Sequence, residues 1–284
     1  MPLAAHYLAL KQIASADLTD ALVRPALESV IVESLDVING AQAIDLVSKV
    51  AGKSYEMRHF GNRFSRPINK ALFWPNVDRQ AMLTALFDAP EAADPATLDR
   101  YLYTAAMSYP AANDLEKSDD KKTPGTFFEI LIGFLFAARY GVNPRKSITV
   151  PTLEIENKIP TDYIFELSGN RRIHLPVKLS TRERVVQVWA HQRVLDGMHG
   201  VGRFRGILVC LTETNKQQNT SVVEVCLPGQ WAAYQMYIAQ LDRVYYLDPP
   251  NKYLALRDTW PHIQVWPLSR FFQEADAVTQ PVNA

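Results

Sequence analysis

The alternation of apolar and polar positions changes period several times along this chain, and the changes divide it into regions. Up to about residue 110 the apolar residues recur at helical spacing, which predicts helices over 41–50, 78–87 and 95–107, with Pro95 suited to a first helical turn. Between the first two lies 52–75, rich in Gly, Asn, Ser, Arg and Pro, which reads as a long loop of the kind that contacts a partner. The charged run NDLEKSDDKKT at 113–123 reads as an exposed linker and a domain boundary, separating a helical region 1–112 from a second region 124–284. There TFFEILIGFLFAARY (126–140) is apolar almost all round, as a buried helix is. Three strand-like segments follow at 147–155, 162–167 and 173–179, the last two joined by the turn SGNRR. Val185, Val186, Val188, Trp189, Val194 and Leu195 then return to helical spacing over 180–195, and GILVCLT (206–212) suits a central strand. Further strands are expected at 222–227, 244–247 and 263–266, and a helix at 230–241. The predicted class is α/β: helix, three-strand meander, helix and strand in a mixed sheet flanked by helices, preceded by a mostly helical N-terminal region.

Composition narrows the functional classes. With 284 residues and 48% hydrophobic content the chain can bury a core without staples. The two cysteines, Cys210 and Cys226, lie in apolar runs and read as free buried thiols. The first residues carry no basic segment ahead of their apolar positions, and no apolar run is long enough to span a bilayer. A soluble, cytoplasmic protein without a membrane partner is expected. Net charge is zero, so any nucleic-acid footprint must be local. One candidate is 53–70, where Arg58, His59, Arg63, Arg66 and Lys70 face only Glu56 and are interleaved with Tyr55, Phe60 and Phe64; the basic run 171–205 is another. A solvated charged face is the default reading of either patch alone.

The candidate chemistry concentrates in 174–195. Lys178 stands at the exit of a short apolar strand, and Asp162 begins the strand before it. Glu129 lies on the apolar helix, where a buried carboxylate requires a partner or a cation, although a first-turn glutamate favoured by the helix dipole is an equal reading. This element order, with Glu129, Pro160-Thr161-Asp162 and Val177-Lys178, resembles the PD-(D/E)xK nuclease superfamily. The resemblance implies that Asp162, with Glu129, binds Mg²⁺ and that Lys178 orients and activates a water for attack on a phosphodiester. The pattern departs from the family in two places: the proline stands two residues before Asp162, and Pro176 occupies a position that is usually acidic. Type II restriction enzymes recognising CCGG-like or interrupted CC/GG sequences place the second acid on the following helix, roughly three to four helical turns past the lysine. His191 and Gln192 fall there, with Asp196 a turn later, so His191 is a candidate contact to water or metal and Glu129 the first choice of second acid.

Members of that group also carry an Arg-(Asp/Glu)-Arg motif just past the lysine, and Arg182-Glu183-Arg184 matches it in spacing. Arginine donates in pairs to guanine O6 and N7, and a carboxylate accepts from cytosine N4, so the triplet suits G and C. Ser180-Thr181-Arg182-Glu183 is equally a capping box, which accounts for Glu183 without DNA. The resemblance implies a Mg²⁺-dependent, site-specific deoxyribonuclease acting on double-stranded DNA. It further implies a homodimer on a G/C-containing palindrome, with Arg58, Arg63, Arg66 and Lys70 holding phosphates or flanking bases. Pro176 keeps open a non-catalytic DNA-binding protein on a degenerate nuclease fold.

Overall fold

The computed structural model describes residues 2–150, 157–182 and 185–279. Two helices, α1 (Leu3–Ala16) and α2 (Val23–Gly40), are followed by strands β1 (Gln42–Ser48), β2 (Tyr55–Phe60), β3 (Arg63–Phe64) and β4 (Ile68–Asn69). Helices α3 (Arg79–Phe87), α4 (Pro95–Glu116) and α5 (Thr123–Tyr140) lead into β5 (Arg145–Val150), β6 (Asn157–Glu166), β7 (Arg172–Leu175) and β8 (Val177–Lys178). Then come α6 (Val186–His199), β9 (Arg205–Cys210), β10 (Thr214–Gln217), β11 (Ser221–Glu224) and α7 (Pro228–Tyr237). The chain closes with β12 (Arg243–Tyr246), α8 (Asn251–Leu254), α9 (Leu256–Thr259), β13 (Val265–Pro267) and α10 (Ser269–Val278).

The central sheet runs β13-β12-β9-β7-β6-β5, with β8 continuing the line of β7 along β9. Strands β5, β6 and β7 form an antiparallel meander, while β7, β9, β12 and β13 are parallel, so the predicted mixed sheet is present. Its two faces read directly from β9. Ile207 and Val209 enter the larger core with α1, α2, α4, α5 and α10, and Leu208 and Cys210 enter a second core with Trp189 of α6 and Trp231 of α7. Successive strand residues point to opposite faces, so a strand covered on both sides is apolar throughout.

Where the pattern misled, pairing partners explain the difference. The segment 41–50 is strand β1 and not a helix: it pairs antiparallel with β2 and parallel with β11, a partner about 175 positions away in sequence that local spacing cannot reveal. The expected loop 52–75 contains β2, β3 and β4, which complete a second sheet in the order β10-β11-β1-β2-β3. Helix α4 continues to Glu116, buries Asn113 and shortens the expected linker, and the larger core includes residues from both sides of it. The two sheets are tied by a buried ionic cluster. Lys53 Nζ lies 2.7 Å from Asp248 Oδ1 and 2.7 Å from Glu224 Oε1, and Tyr55 and Asn69 also donate to Asp248. Both cysteines are free, Cys210 buried and Cys226 half-buried just beyond β11. Among the described residues, no helix is long and apolar enough to cross a membrane.

Candidate active site

The hairpin β6–β7 fixes the centre of the site. Asp162 lies within β6, and the break at Pro176 starts β8 with Val177 N–H pointing at it. Proline cannot donate to a ladder, but its carbonyl still accepts from Val209 N at 3.0 Å, so the line continues along β9 while its partner on the meander side changes. Asp162 Oδ2 accepts from Val177 N at 2.8 Å and from Lys178 Nζ at 2.7 Å. Sequence pairs the two residues across a turn, and the structure brings them into direct contact. The side chains are 19% and 34% exposed, so the pair is open to a ligand. Among the described residues Asp162 Oδ1 has no hydrogen-bond partner.

Glu129 approaches from α5. The helix lies unusually close to β6 because residue 133 is glycine: a Cβ there would sit 2.6 Å from the Tyr163 ring. Tyr163 Oη in turn donates to the Glu129 carbonyl at 3.1 Å, fixing the register of helix against strand. Burial, followed by the negative charge of Asp162, raises the Glu129 carboxyl to about 7 from the usual 4.5. Glu129 is therefore not a solvated first-turn glutamate: it lies more than a turn into α5, half-buried, where burial and Asp162 oppose its charge more than Lys178 and Lys146 favour it. His191, on α6, completes the group; burial lowers its ring, with opposing influences from Asp162 and Lys178.

Two carboxylates share the site with the cations Lys178 and Lys146, both of which act on Glu129, and among the described residues Asp162 Oδ1 is left open to a further ligand. That donor set fits a hard divalent cation held by few protein oxygens and several waters. No group of three or more His, Cys, Asp or Glu side chains converges as a complete metal cage among the described residues.

The segment after Lys178 differs from expectation. Helix α6 begins at Val186, with Val185 at its N-cap and no side-chain cap, so Ser180 does not cap it and Arg182 lies in a turn ahead of it. Arg182 is exposed and its Nε donates to Ser180 Oγ at 3.3 Å; Glu183 and Arg184 lie outside the described residues. Thr181, the second residue of the expected capping box, is buried, and its N–H and hydroxyl both donate to Glu213 Oε1, at 2.8 and 2.7 Å. Glu213, which sequence reasoning passed over, is fully buried and also accepts from Tyr246 Oη at 2.7 Å. Its signal was a lone carboxylate directly after the apolar strand GILVCLT.

The basic residues of 53–70 are engaged within the chain. Arg66 forms a two-point pair with Asp114 at 2.9 Å, and Arg58 pairs with Glu56 at 2.6 Å. Arg63 donates to the carbonyls of Leu115 and Glu116, and Lys70 contacts Asp45 at 2.7 Å on an exposed surface.

Helix α5, the meander, α6 and β9, with a carboxylate and a lysine meeting across the hairpin, define a restriction-endonuclease-like α/β fold. No family model and no curated protein matches the sequence. Among solved structures the chain is similar to the Type IIP restriction endonuclease Kpn2I, with a TM-score of 0.81 and 25% identity over 97% of this chain and 96% of that one. The structure of restriction endonuclease PspGI with substrate DNA aligns with a TM-score of 0.45 and 16% identity, over 70% of this chain and 87% of that one.

Proposed function

We propose that this protein is a type II site-specific deoxyribonuclease that hydrolyses phosphodiester bonds of double-stranded DNA, using a divalent metal such as Mg²⁺. The observation that carries the reading is the Lys178–Asp162 contact at 2.7 Å beside the raised Glu129 carboxyl. It lies on a fold that follows the restriction endonuclease Kpn2I over nearly its whole length. Asp162 and Glu129 would hold the cation, and His191 would contact its water or the metal. When bound, the cation supplies positive charge to the phosphorus centre and to the oxygen that leaves. Lys178, held by Asp162 Oδ2 and about one-third exposed, would use its remaining N–H donors to orient a water and hold a non-bridging phosphate oxygen. Arg182, Glu183 and Arg184 would read G and C, Arg182 from the turn ahead of α6. The turn is tied back to the core through Thr181 and Glu213, so recognition and cutting share one support.

A homodimer on a palindromic site is the economical arrangement for cutting both strands. Arg58, Arg63, Arg66 and Lys70 would serve phosphates or flanking bases after exchanging their internal partners, Arg66 least readily because Asp114 holds it at two points. A localisation in the cytoplasm accords with this role. The alternative, a non-catalytic DNA-binding protein on the same fold, is favoured by one observation: Pro176 stands where the strand would carry a further acid. Incubating the protein with mixed-sequence duplex DNA and Mg²⁺ or Mn²⁺ separates the two. Cleavage lost in Lys178→Ala while binding persists supports the nuclease; binding without cleavage in the parent protein supports the alternative.

A further inference from the structure

The buried amide of Gln192 defines a hydrogen-bond direction that leads back to the site. Its Nε2 donates to Asp196 Oδ1 at 3.0 Å and to the Phe204 carbonyl at 3.1 Å, so Oε1 is the atom that meets His174 Nδ1 at 3.0 Å. An amide oxygen only accepts, hence Nδ1 of His174 carries the proton and Nε2 is a bare acceptor. Gly206 makes the arrangement possible, because a Cβ there would lie 2.8 Å from Gln192 Oε1. His174 is 1% exposed, and burial lowers its ring to about 4, so it remains neutral. Its Nε2 has no partner, and neither has the buried Oγ1 of Thr161.

Both orphaned atoms belong to residues that line one small cavity, and the third polar residue in its wall is His191. The remaining walls are aliphatic, including Ile148, Ile164 and Leu195. The space offers about 10 Å³, the lower limit for one water, and Thr161, His174 and His191 are the three polar residues in its otherwise apolar wall.

We infer that this cavity holds one ordered water that accepts from Thr161 Oγ1 and from a ring N–H of His191 and donates to His174 Nε2, thereby fixing the His191 tautomer. The donors then run in one direction, from His191 through the water, His174 and Gln192 to the Asp196 carboxylate, and each bond polarises the next. The second ring nitrogen of His191 is then left as a lone pair, in a ring that feels the charges of both Asp162 and Lys178. Outer partners of this kind set which imidazole nitrogen is available for chemistry. His174 and Thr161 are positioning residues. The use made of the His191 lone pair rests on the nuclease reading, whereas the water and the tautomer do not.

Long-range proton–nitrogen NMR of the full-length ¹⁵N-histidine-labelled protein tests this without any activity, with His191→Gln assigning the second ring. His174 is expected as the Nδ1-protonated neutral form from pH 5.5 to 8, and His191 as a single neutral tautomer above its titration. Thr161→Val, nearly the same shape without the hydroxyl, and His174→Phe are each expected to turn His191 into a mixture of tautomers. A mixture in the parent protein, or an unchanged His191 in a folded Thr161→Val, overturns the proposal, as does a crystal structure with an empty cavity. In cleavage assays Thr161→Val is expected to lower kcat roughly tenfold or more at unchanged DNA affinity, the scale for outer-shell partners. If the parent protein does not cleave, the nuclease reading fails while the NMR result still decides the water and the tautomer.

Discussion

Replacing Glu129 with Gln offers a quantitative check on the electrostatics of the site. In the folded protein the carboxyl is raised to about 7 from 4.5, first by burial and then by Asp162. The native state therefore retains a proton that the unfolded chain releases between these values. Stability associated with this group is complete below about pH 4.5 and is lost as pH rises through about 7. At roughly 1.4 kcal/mol per tenfold change in proton affinity, the interval corresponds to about 3 kcal/mol. Gln cannot lose a proton, so the variant lacks this pH dependence, and any fixed cost of burying its amide cancels when one pH is compared with another. Urea unfolding in EDTA should show the stability of the parent protein falling relative to Glu129→Gln by about 3 kcal/mol between pH 4 and 8. Magnesium added at pH 8 should recover part of that loss in the parent protein and little in the variant, since a ligand stabilises the state that binds it. Parallel stability curves for the two proteins would refute the placement of Glu129 in a charged, enclosed site.

Gly133→Ala should destabilise the fold by about 1–3 kcal/mol in urea melts, the usual range for overpacking, because its Cβ would meet the Tyr163 ring at 2.6 Å and push α5 from β6. It should also reduce cleavage by displacing Glu129 from Asp162. Lys53→Met should cost about 3–5 kcal/mol in the same measurement, since it leaves the carboxylates of Asp248 and Glu224 buried without their cation. Arg182→Ala should leave the melting temperature within a degree or two while weakening discrimination among DNA sites by about 1–3 kcal/mol if the side chain reads a base, followed by binding to duplexes with single base-pair changes.

The residues legible in the sequence were those whose partners are near in sequence or whose strands are apolar throughout. Asp162 and Lys178 are sixteen positions apart on adjacent strands, and β9 announces itself through GILVCLT. The order of α5, the meander, α6 and β9 followed from changes of period. Strand β1 was hidden because its partner β11 lies far along the chain, and its residues AQAIDLVSKV also satisfy helical spacing. The start of α6 was misplaced because Ser180 and Thr181 form a good local cap, yet Thr181 gains more from two hydrogen bonds to the buried Glu213 than a helix would offer. The His174–Gln192 pair could not be foreseen either, since it depends on a glycine, Gly206, across the sheet. Tertiary contacts of this kind leave no periodic trace.

The central claim is that Asp162, Glu129 and Lys178 cut DNA at a defined sequence. Its most direct test is a digest of DNA of known sequence with Mg²⁺ and with the product ends mapped, run beside Lys178→Ala. Discrete fragments whose ends share one recurring sequence, absent with the variant, are the predicted result. Intact DNA, or the same fragments from Lys178→Ala, would contradict it.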